Sequence, residues 1–257
     1  MGVVNITPDS FSDGGRFLDA GAALAHARRL ADEGADLVDL GAESTRPGSA
    51  PVSEEEELRR LLPVLQSLKS LEKPVSVDTR RPAVMQAVLE AGASMINDIE
   101  ALAAPGATAA LARSGCAVCL MHKKGDPATM QHDPHYDDVV GEVRDFLKER
   151  ADAARAAGVA ADRIVVDPGF GFGKTAVHNL ALLKGLSGFR DLAVPLLVGL
   201  SRKSTLGLLT GRPVGERLAA SLAAALLALQ GGARILRVHD VRETVDVVRV
   251  WEAYQKA

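Results

Sequence analysis

The sequence predicts a single (β/α)8 barrel, the TIM-barrel class of α/β folds, extending over residues 1–257. The length of 257 residues is close to the ~250 that such barrels need. Hydrophobic residues make up 47% of the chain and aromatic residues only 4%, a composition that suits helices laid against buried parallel strands. A short apolar run, a polar loop and an amphipathic helix follow one another eight times. Eight regular units favour a closed barrel over the alternative, a doubly wound open sheet.

Eight apolar runs are predicted to be the strands of this barrel. Most are rich in Val, Ile and Leu, as is typical of strands covered on both faces. Each run ends where polar or glycine residues begin, which marks the entry into a loop. The predicted strands are Gly2–Ile6, Asp36–Leu40, Pro74–Asp78, Ser94–Asp98, Cys116–Met121, Arg163–Asp167, Pro195–Gly199 and Arg234–His239.

Eight amphipathic segments that alternate with the strands are predicted to be helices. Ser53 and Glu56 form a capping-box pattern at the start of the second one, with Glu56 expected to reach back to the Ser53 backbone. Four helices are followed by glycines suited to a left-handed cap, namely Gly34, Gly92, Gly115 and Gly158. The predicted helices are Asp19–Glu33, Glu54–Leu71, Pro82–Ala91, Gly106–Arg113, Asp138–Ala157, Ala176–Leu186, Gly215–Gln230 and Val241–Gln255.

Charge and cysteine usage exclude several classes of protein. The formal net charge of −3 argues against a protein that coats nucleic acid or a membrane surface. No apolar stretch is long enough to span a bilayer, and no basic segment leads into an apolar run, so we expect a cytoplasmic protein. Cys116 and Cys119 are separated by an odd number of positions on a predicted strand. Their thiols should therefore face opposite sides, which favours small buried residues over a disulfide or a metal site.

The seventh predicted helix has almost no polar face between Leu218 and Leu229. An outer helix of a barrel normally presents polar side chains to water, so this helix indicates a second partner. We expect a homodimer that forms through the seventh and eighth predicted helices. The alternative is that a high alanine content leaves an exposed face without strong character.

Acidic and amide side chains recur where the predicted strands end. The C-terminal ends of the strands surround the active site in barrels of this class. A single Asp after a strand is usually a cap or turn residue, but five such residues at one mouth indicate a function. They suit a heterocycle with several N–H donors, or a hard cation such as Mg²⁺. These residues are Asn5, Asp39, Asp78, Asn97 and Asp167.

Cationic residues follow the same strands and predict a pocket for phosphate oxygens. Arg237 and His239 are two positions apart on the last predicted strand, so both should project to one face. Unrelated surface cations are the alternative, which suits Lys174 well but Arg237 and His239 poorly. The remaining cations of this group are Arg46, Arg202 and Lys203.

Three loops have unusual compositions. Residues 7–15 and 43–49 are long, polar and glycine-containing, which is typical of mobile active-site covers. Residues 169–175 resemble a phosphate-binding loop, but Pro168 stands where that motif requires glycine. The glycines of this third loop are expected to let the backbone approach a flat ligand, with Phe172 packed against it. His122, His132 and His135 lack the spacing of a zinc site, so a solvated loop is favoured.

Seven motifs, in order along the chain, resemble those of the dihydropteroate synthase family. Each motif is moderately specific, and the ordered set from the first residues to the last strand is highly specific. They are Asn5-Ile-Thr-Pro-Asp-Ser-Phe-Ser-Asp-Gly-Gly15, Glu43-Ser-Thr-Arg-Pro-Gly48, Ser76-Val-Asp-Thr79, Ile96-Asn-Asp-Ile99, Asp167-Pro-Gly-Phe-Gly-Phe-Gly-Lys174, Gly199-Leu-Ser-Arg-Lys-Ser204 and Arg237-Val-His-Asp240.

The resemblance implies a TIM-barrel enzyme of folate biosynthesis that is usually dimeric. Such an enzyme condenses 6-hydroxymethyl-7,8-dihydropterin diphosphate with 4-aminobenzoate and releases diphosphate, with Mg²⁺ as the assisting ion. By the same resemblance, the pterin would be bound by Asp78, Asn97, Asp167 and Lys203, lined by Met121 and Phe172, with Gly199 and Ser201 nearby. Asn5 would ligate Mg²⁺, and the diphosphate would be held by Thr45, Arg46, Arg237 and His239. The 4-aminobenzoate site would be bordered by Arg46, Pro47, Phe172, Lys203 and Ser204, and the catalytic groups would be Asp78, Lys203, Arg237 and His239.

Two alternatives remain open at the level of the sequence. A methyltransferase that takes a methyl group from a methylfolate would share the barrel and the pterin site, but would not need the Ser-Thr-Arg-Pro-Gly and Ser-Arg-Lys-Ser motifs. A pterin-binding paralogue without activity is expected to have lost Asn5, Arg46, Lys203 or Arg237, and all four are present. The chain also departs from the family pattern after His122, where Lys123 replaces a common Met.

Overall fold

The strands of the protein lie side by side in chain order, in a computed structural model that describes residues 1–6, 20–43, 52–126 and 129–257. Eight parallel strands occur in these ranges, each close to its predicted position. The strands are β1 (Gly2–Asn5), β2 (Val38–Gly41), β3 (Val75–Asp78), β4 (Met95–Asp98), β5 (Ala117–Met121), β6 (Ile164–Asp167), β7 (Leu197–Val198) and β8 (Ile235–Leu236). β7 and β8 are shorter than predicted.

Two sheets join to close the barrel. β1 to β6 form one parallel sheet, and β7 pairs with β8 in a second. An isolated bridge between Val166 and Leu196 connects β6 to the segment before β7, and another between Gly2 and Val238 connects β1 to the segment after β8. The amide of Val3 donates to the carbonyl of Val238 at 3.1 Å across that second seam. The predicted TIM-barrel class is therefore confirmed.

Nine α-helices surround the strands in the described ranges, one more than predicted. The additional helix, α7, is only seven residues long, which is too short for its apolar periodicity to stand out in the sequence. No helix of the described part of the chain is long and apolar enough to cross a membrane. The helices are α1 (Ala20–Asp32), α2 (Glu54–Leu68), α3 (Pro82–Glu90), α4 (Ala107–Ser114), α5 (Val139–Ala156), α6 (Ala176–Gly185), α7 (Ser204–Thr210), α8 (Leu218–Gly231) and α9 (Val241–Lys256).

The ends of the helices follow the sequence signals with one exception. The Ser53 hydroxyl accepts from the Glu56 amide at 3.2 Å, which is half of the predicted capping box. The Glu56 carboxylate instead accepts from Arg59 and Arg60, both at 2.6 Å, since charged partners bind a carboxylate more strongly than a neutral amide does. All four predicted cap glycines have positive φ, between 73° at Gly115 and 108° at Gly92.

Strand side chains alternate between the helix layer and the barrel interior. The interior holds a small apolar layer of Met95, Cys119, Val165 and Leu197, which lies one level below the C-terminal ends of the strands. Cys119 is fully buried there, whereas the Cys116 thiol points at the carbonyl of Ala93, 3.2 Å away. Both cysteines are free, as the odd spacing on a strand predicts.

Candidate active site

The register of the strands brings the predicted polar residues to one end of the barrel. Asn5 pairs with Gly41, and Gly41 pairs with Asp78 on the next strand. Asp78 in turn pairs with Asn97, and Met121 pairs with Asp167. Paired residues of parallel strands point to the same face. The strand ends therefore converge on one mouth, in which Asp39 lies one layer deeper.

The guanidinium of Arg237 sits between two carboxylates at this mouth. Its Nε donates to Asp39 Oδ2 at 2.7 Å and its Nη2 donates to Asp78 Oδ2 at 3.2 Å. Burial opposes the charge of Arg237, but the two carboxylates outweigh that effect and raise its pKa. Burial, partly offset by Arg237, raises the pKa of Asp78 to about 7. Asp39 on β2 and Asp78 on β3 therefore fix the orientation of the Arg237 guanidinium at the mouth.

Three buried oxygens beside this cation have no hydrogen-bond partner among the described residues. They are Oδ1 of Asp39, Oγ of Ser76 and Oδ1 of Asn97. The amide nitrogen of Asn97 is already used, since it donates to Asp39 Oδ2 at 3.3 Å. A buried polar atom without a partner costs about 1–3 kcal/mol. These oxygens therefore offer acceptors to the N–H groups of a ligand or to an ordered water.

Asp167 is a buried carboxylate directly below the glycine-rich loop. Its Oδ1 accepts from the Gly169 amide at 2.7 Å. Burial raises the pKa of Asp167, and the Gly169 amide and the charge of Lys203 act in the opposite direction. A buried carboxylate of this kind can pair with two adjacent N–H donors of a heterocycle.

Lys203 lies beside the glycine-rich loop that follows β6. Its ammonium group is 4.4 Å from the centre of the Phe172 ring, a cation–π arrangement. A Cβ on Gly171 would lie 3.5 Å from Lys203 Cδ, so the glycine leaves room for the lysine stem. The structure thus places Phe172 and Lys203 together, on loops that follow β6 and β7.

Lys174 is buried, so the interpretation of this residue as an unrelated surface cation is wrong. Only 2% of the residue is exposed, and its ammonium group donates to backbone carbonyls of the glycine-rich loop and contacts the ring of His122. Burial lowers the pKa of Lys174 to about 7. Burial, with the charge of Lys174 second, lowers the pKa of His122 to about 3. The sequence could not reveal these contacts because His122 is 52 positions away.

His239 and Arg202 meet different partners at the other side of the mouth. Nδ1 of His239 lies 3.0 Å from Ser201 Oγ, which also accepts the His239 amide at 3.2 Å. Burial, followed by the charges of Arg202 and Arg237, lowers the pKa of His239 to about 4. Arg202, predicted among the phosphate-binding cations, donates from Nε to Asp240 at 3.0 Å. Its charge is therefore neutralised by a pair that the sequence did not indicate.

Arg81, which the sequence analysis did not single out, holds the two ends of the second polar loop. It donates from Nη1 to Glu43 Oε2 at 3.0 Å and to the fully buried Glu57. It also donates from Nη2 to the carbonyl of Val52. Glu43 and Val52 flank segment 44–51, so one side chain ties both ends together. The predicted site residues Thr45, Arg46 and Pro47 belong to that segment and lie outside the described residues.

Three further predicted residues have clear places. Met121 is buried at the end of β5. Gly199 follows β7, where an added Cβ would be in van der Waals contact with the Arg237 Cβ, 3.8 Å away. Ser204 is exposed at the first position of α7. The histidines of the rejected zinc pattern are separated, with His122 buried and His132 and His135 exposed.

Gly41 leaves a gap between Asn5 and Asp78. A Cβ at Gly41 would lie 3.7 Å from Asn5 Oδ1 and 3.8 Å from Asp78 Cβ. The described residues contain no group of three or more His, Cys, Asp or Glu side chains arranged for a metal ion. Mg²⁺ bound with a phosphate substrate, however, needs only one or two protein oxygens and keeps several waters. The amide oxygen of Asn5 beside this gap fits such an ion.

Comparison with known sequences assigns the chain to a family. The profile of pterin-binding enzymes matches residues 1–239. The dihydropteroate synthase of Escherichia coli K12 is 49% identical over 254 residues, which cover 98% of this chain and 90% of that protein. The chain belongs to the dihydropteroate synthase family of pterin-binding enzymes. The resemblance inferred from the seven motifs is thereby confirmed.

Solved structures of dihydropteroate synthases also share the fold. A structure of the Xanthomonas albilineans enzyme with 4-aminobenzoic acid superposes with a TM-score of 0.94 and 54% identity, covering 100% of this chain and 92% of that one. A structure of the X. albilineans enzyme in complex with 7,8-dihydropteroate gives a TM-score of 0.91 and 51% identity, covering 100% and 93%. The X. albilineans enzyme therefore binds both 4-aminobenzoic acid and 7,8-dihydropteroate.

Proposed function

We propose that this chain condenses 6-hydroxymethyl-7,8-dihydropterin diphosphate with 4-aminobenzoate to form 7,8-dihydropteroate and diphosphate. The observation that carries the proposal is the mouth of the barrel, where Asp167, Asn97 and Lys203 face the cation Arg237. Such a mouth offers acceptors for a heterocycle and a positive charge for an anion in one pocket. Both substrates are charged small molecules, and we propose that the reaction takes place in the cytoplasm. We also propose that residues 1–257 form a single domain.

The pterin is proposed to lie between the glycine-rich loop and the strand ends. Asp167 accepts the pair of N–H donors on the pyrimidine side of the ring, a two-point fit for a carboxylate. Asn97 Oδ1, which has no partner within the described ranges, accepts a further N–H. Met121 and Phe172 line the faces of the ring, and Lys203 donates to its polar edge. Gly199 and Ser201 complete the floor.

The diphosphate is proposed to bind beside Arg237 and His239. The Ser201 hydroxyl already accepts the His239 amide, so we assign its own hydrogen to His239 Nδ1 and the imidazole proton to Nε2. A neutral His239, favoured by its lowered pKa, then donates from Nε2 to a phosphate oxygen. Thr45 and Arg46 join them by the family resemblance.

The chemistry is proposed to begin with departure of the diphosphate. The aromatic amine is a weak nucleophile, and the dihydropterin can delocalise the positive charge that forms when the C–O bond breaks. Asp78 stabilises that charge as a nearby carboxylate, while Arg237 and His239 stabilise the departing anion. The amine nitrogen then forms the C–N bond and loses one proton to diphosphate or water. No covalent bond to the enzyme is required.

The amine is proposed to bind second. Its site would be bordered by Arg46, Pro47, Phe172, Lys203 and Ser204, and it would be complete only after the diphosphate has engaged Arg46. We also propose Mg²⁺ as the cofactor. Asn5 would hold the ion, which would supply positive charge to the leaving diphosphate. Calorimetry should therefore detect 4-aminobenzoate binding when diphosphate and Mg²⁺ are present, and little binding to the empty enzyme.

A homodimer is proposed to form through the apolar faces of α8 and α9. Leu227 on α8 is 50% exposed, and Val250 and Tyr254 on α9 are about 70% exposed. α8 packs directly against α9, so the two helices that carry these exposed apolar side chains are neighbours. Light scattering should give twice the chain mass for the wild type, and Leu227→Glu should give a monomer. A monomeric wild type would contradict the proposal.

A coupled assay of diphosphate release tests the function. Diphosphate should appear from the pterin diphosphate at a rate that increases with added 4-aminobenzoate, together with stoichiometric 7,8-dihydropteroate. A methyltransferase would instead release no diphosphate and would consume a methylfolate. Binding of the pterin without turnover would indicate a paralogue without activity.

A further inference from the structure

We propose that Lys174 is a positioning residue: it ties the loop after β6 to the segment after β5 and thereby holds the Phe172 ring against Lys203. The inference rests on the proposed function, because Phe172 is assigned there to the pterin and 4-aminobenzoate sites. Lys174 itself is buried, and its ammonium group contacts His122 and two carbonyls of the loop.

The ammonium group of Lys174 has an acceptor for each of its three hydrogens. It lies 2.9 Å from Nδ1 of His122, 3.0 Å from the Gly169 carbonyl and 3.1 Å from the Phe172 carbonyl. The imidazole accepts at Nδ1, which agrees with the lowered pKa that keeps His122 neutral. Three satisfied donors fix the position of the ammonium group and, with it, the carbonyls that it binds.

The loop and the segment after β5 are in direct backbone contact. A Cβ at Gly169 would lie 1.8 Å from the His122 carbonyl oxygen, and one at Gly173 would lie 2.1 Å from the Lys124 carbonyl oxygen. Both glycines have positive φ. The two segments are therefore too close for a side chain to lie between them at these positions. Lys174 joins them by hydrogen bonds, with the His122 ring on one segment and the carbonyls of Gly169 and Phe172 on the other.

Two hydrogen bonds hold the backbone of Phe172 in place, one at its amide and one at its carbonyl. Its amide donates to the Gly169 carbonyl at 3.1 Å, and its carbonyl accepts from Lys174. Removal of the ammonium group frees the carbonyl and leaves Gly169 with one donor fewer. The ring, which lies 4.4 Å from Lys203 Nζ, then loses the support that sets this distance. The expected defect is in the binding of the aromatic amine rather than in the fold of the barrel.

A double-mutant cycle between Lys174→Met and Phe172→Ala tests the inference. In the wild-type background, Lys174→Met should raise KM for 4-aminobenzoate about tenfold or more, with a smaller change in kcat. In the Phe172→Ala background the same substitution should have little further effect on KM. Lys148→Met, an exposed lysine on α5, is the matched control and should leave both constants unchanged. Lys174→Gln, which keeps N–H donors, should show a smaller defect and serves if the Met variant is unstable.

Two outcomes would overturn the inference. An equal rise in KM in both backgrounds would mean that Lys174 does not act through Phe172. An unchanged KM in both Lys174 variants would remove the role altogether. Absence of diphosphate release by the wild-type enzyme is a different result, since it would reject the proposed function itself and the inference with it.

Discussion

Asp39 holds Arg237 from below: its Oδ2 accepts from the Arg237 Nε at 2.7 Å, inside the barrel and away from solvent. The same oxygen accepts from Asn97 at 3.3 Å. One buried carboxylate thus orients a cation that is proposed to meet diphosphate and an amide that is proposed to meet the pterin. Asp39 itself is fully buried, and through these two residues it supports both proposed substrate contacts.

Asp39→Asn should lower kcat without raising KM for the pterin diphosphate. The substitution removes a negative charge, so the mouth becomes more positive and anion binding is not weakened, but Arg237 loses its orientation. Breaking a buried pair costs about 3–5 kcal/mol, and we expect the lower end because Asp78 still partners Arg237. Steady-state kinetics and urea unfolding provide the measurements. Asp36→Asn, an exposed carboxylate just before β2, is the control, and a rise in KM alone would contradict the prediction.

Asp167→Asn should weaken pterin binding. The amide presents an N–H where the carboxylate presented an acceptor, so a donor would face a donor of the ring. A mismatched buried hydrogen bond costs about 1–3 kcal/mol, which is roughly a 5- to 150-fold loss of affinity. Calorimetry with the pterin diphosphate measures it, with the exposed Asp162→Asn as the control. Unchanged affinity would exclude Asp167 from the pterin site.

Arg81→Gln should destabilise the protein more than Arg80→Gln does. Arg81 neutralises Glu57, a carboxylate that is fully buried, and burial raises the pKa of Glu57 even in its presence. Loss of one partner of a buried pair costs about 3 kcal/mol or more. Arg80 is 32% exposed and pairs with Glu43 and Glu100, so its loss should cost less than about 1 kcal/mol. Urea unfolding compares the two, and equal losses would contradict the argument.

His122 predicts a pH dependence of stability. Burial first, and the charge of Lys174 second, lower its pKa from 6.5 to about 3. Between these values the unfolded chain binds the proton more strongly, so stability is complete above pH 6.5 and is lost as the pH falls toward 3. The wild type should lose up to about 1.4 kcal/mol per pH unit relative to His122→Gln. Urea unfolding at a series of pH values checks this, and His132→Gln, an exposed histidine, should follow the wild type.

The positions of the pocket side chains could be predicted from the sequence because they depend on local rules. Strands alternate their faces with a period of two, and the C-terminal ends of parallel strands meet at one mouth. Those rules predict that Asn5, Asp78, Asn97 and Asp167 lie together, as the register of the strands shows. The arrangement of Arg237 between two carboxylates was not predictable in the same way, since Asp39 and Arg237 are 198 positions apart.

Cations whose partners are remote in the chain could not be predicted in this way. Lys174 looks like a surface residue in the sequence, and only the approach of two loops shows that it is buried. Arg81 has no local pattern at all, because Glu43 precedes it by 38 positions and Glu57 by 24. Arg202 follows β7 at the predicted mouth, but its guanidinium pairs with Asp240, which follows β8. Ion pairs of this kind require the tertiary fold, which periodicity does not supply.

Arg81 forms a clasp, in that its guanidinium binds both Glu43 and Val52, the residues that flank segment 44–51. The attachment of the segment to the barrel therefore does not depend on the residues within it. With its two ends pinned to the barrel, the cost of closing the chain depends only weakly on its length, and a doubling adds about 0.6 kcal/mol. Changes of length or sequence within the segment should therefore leave the barrel folded. Their effect should fall instead on substrate binding, for which Thr45, Arg46 and Pro47 are proposed, whereas a change at Arg81 would affect the barrel itself.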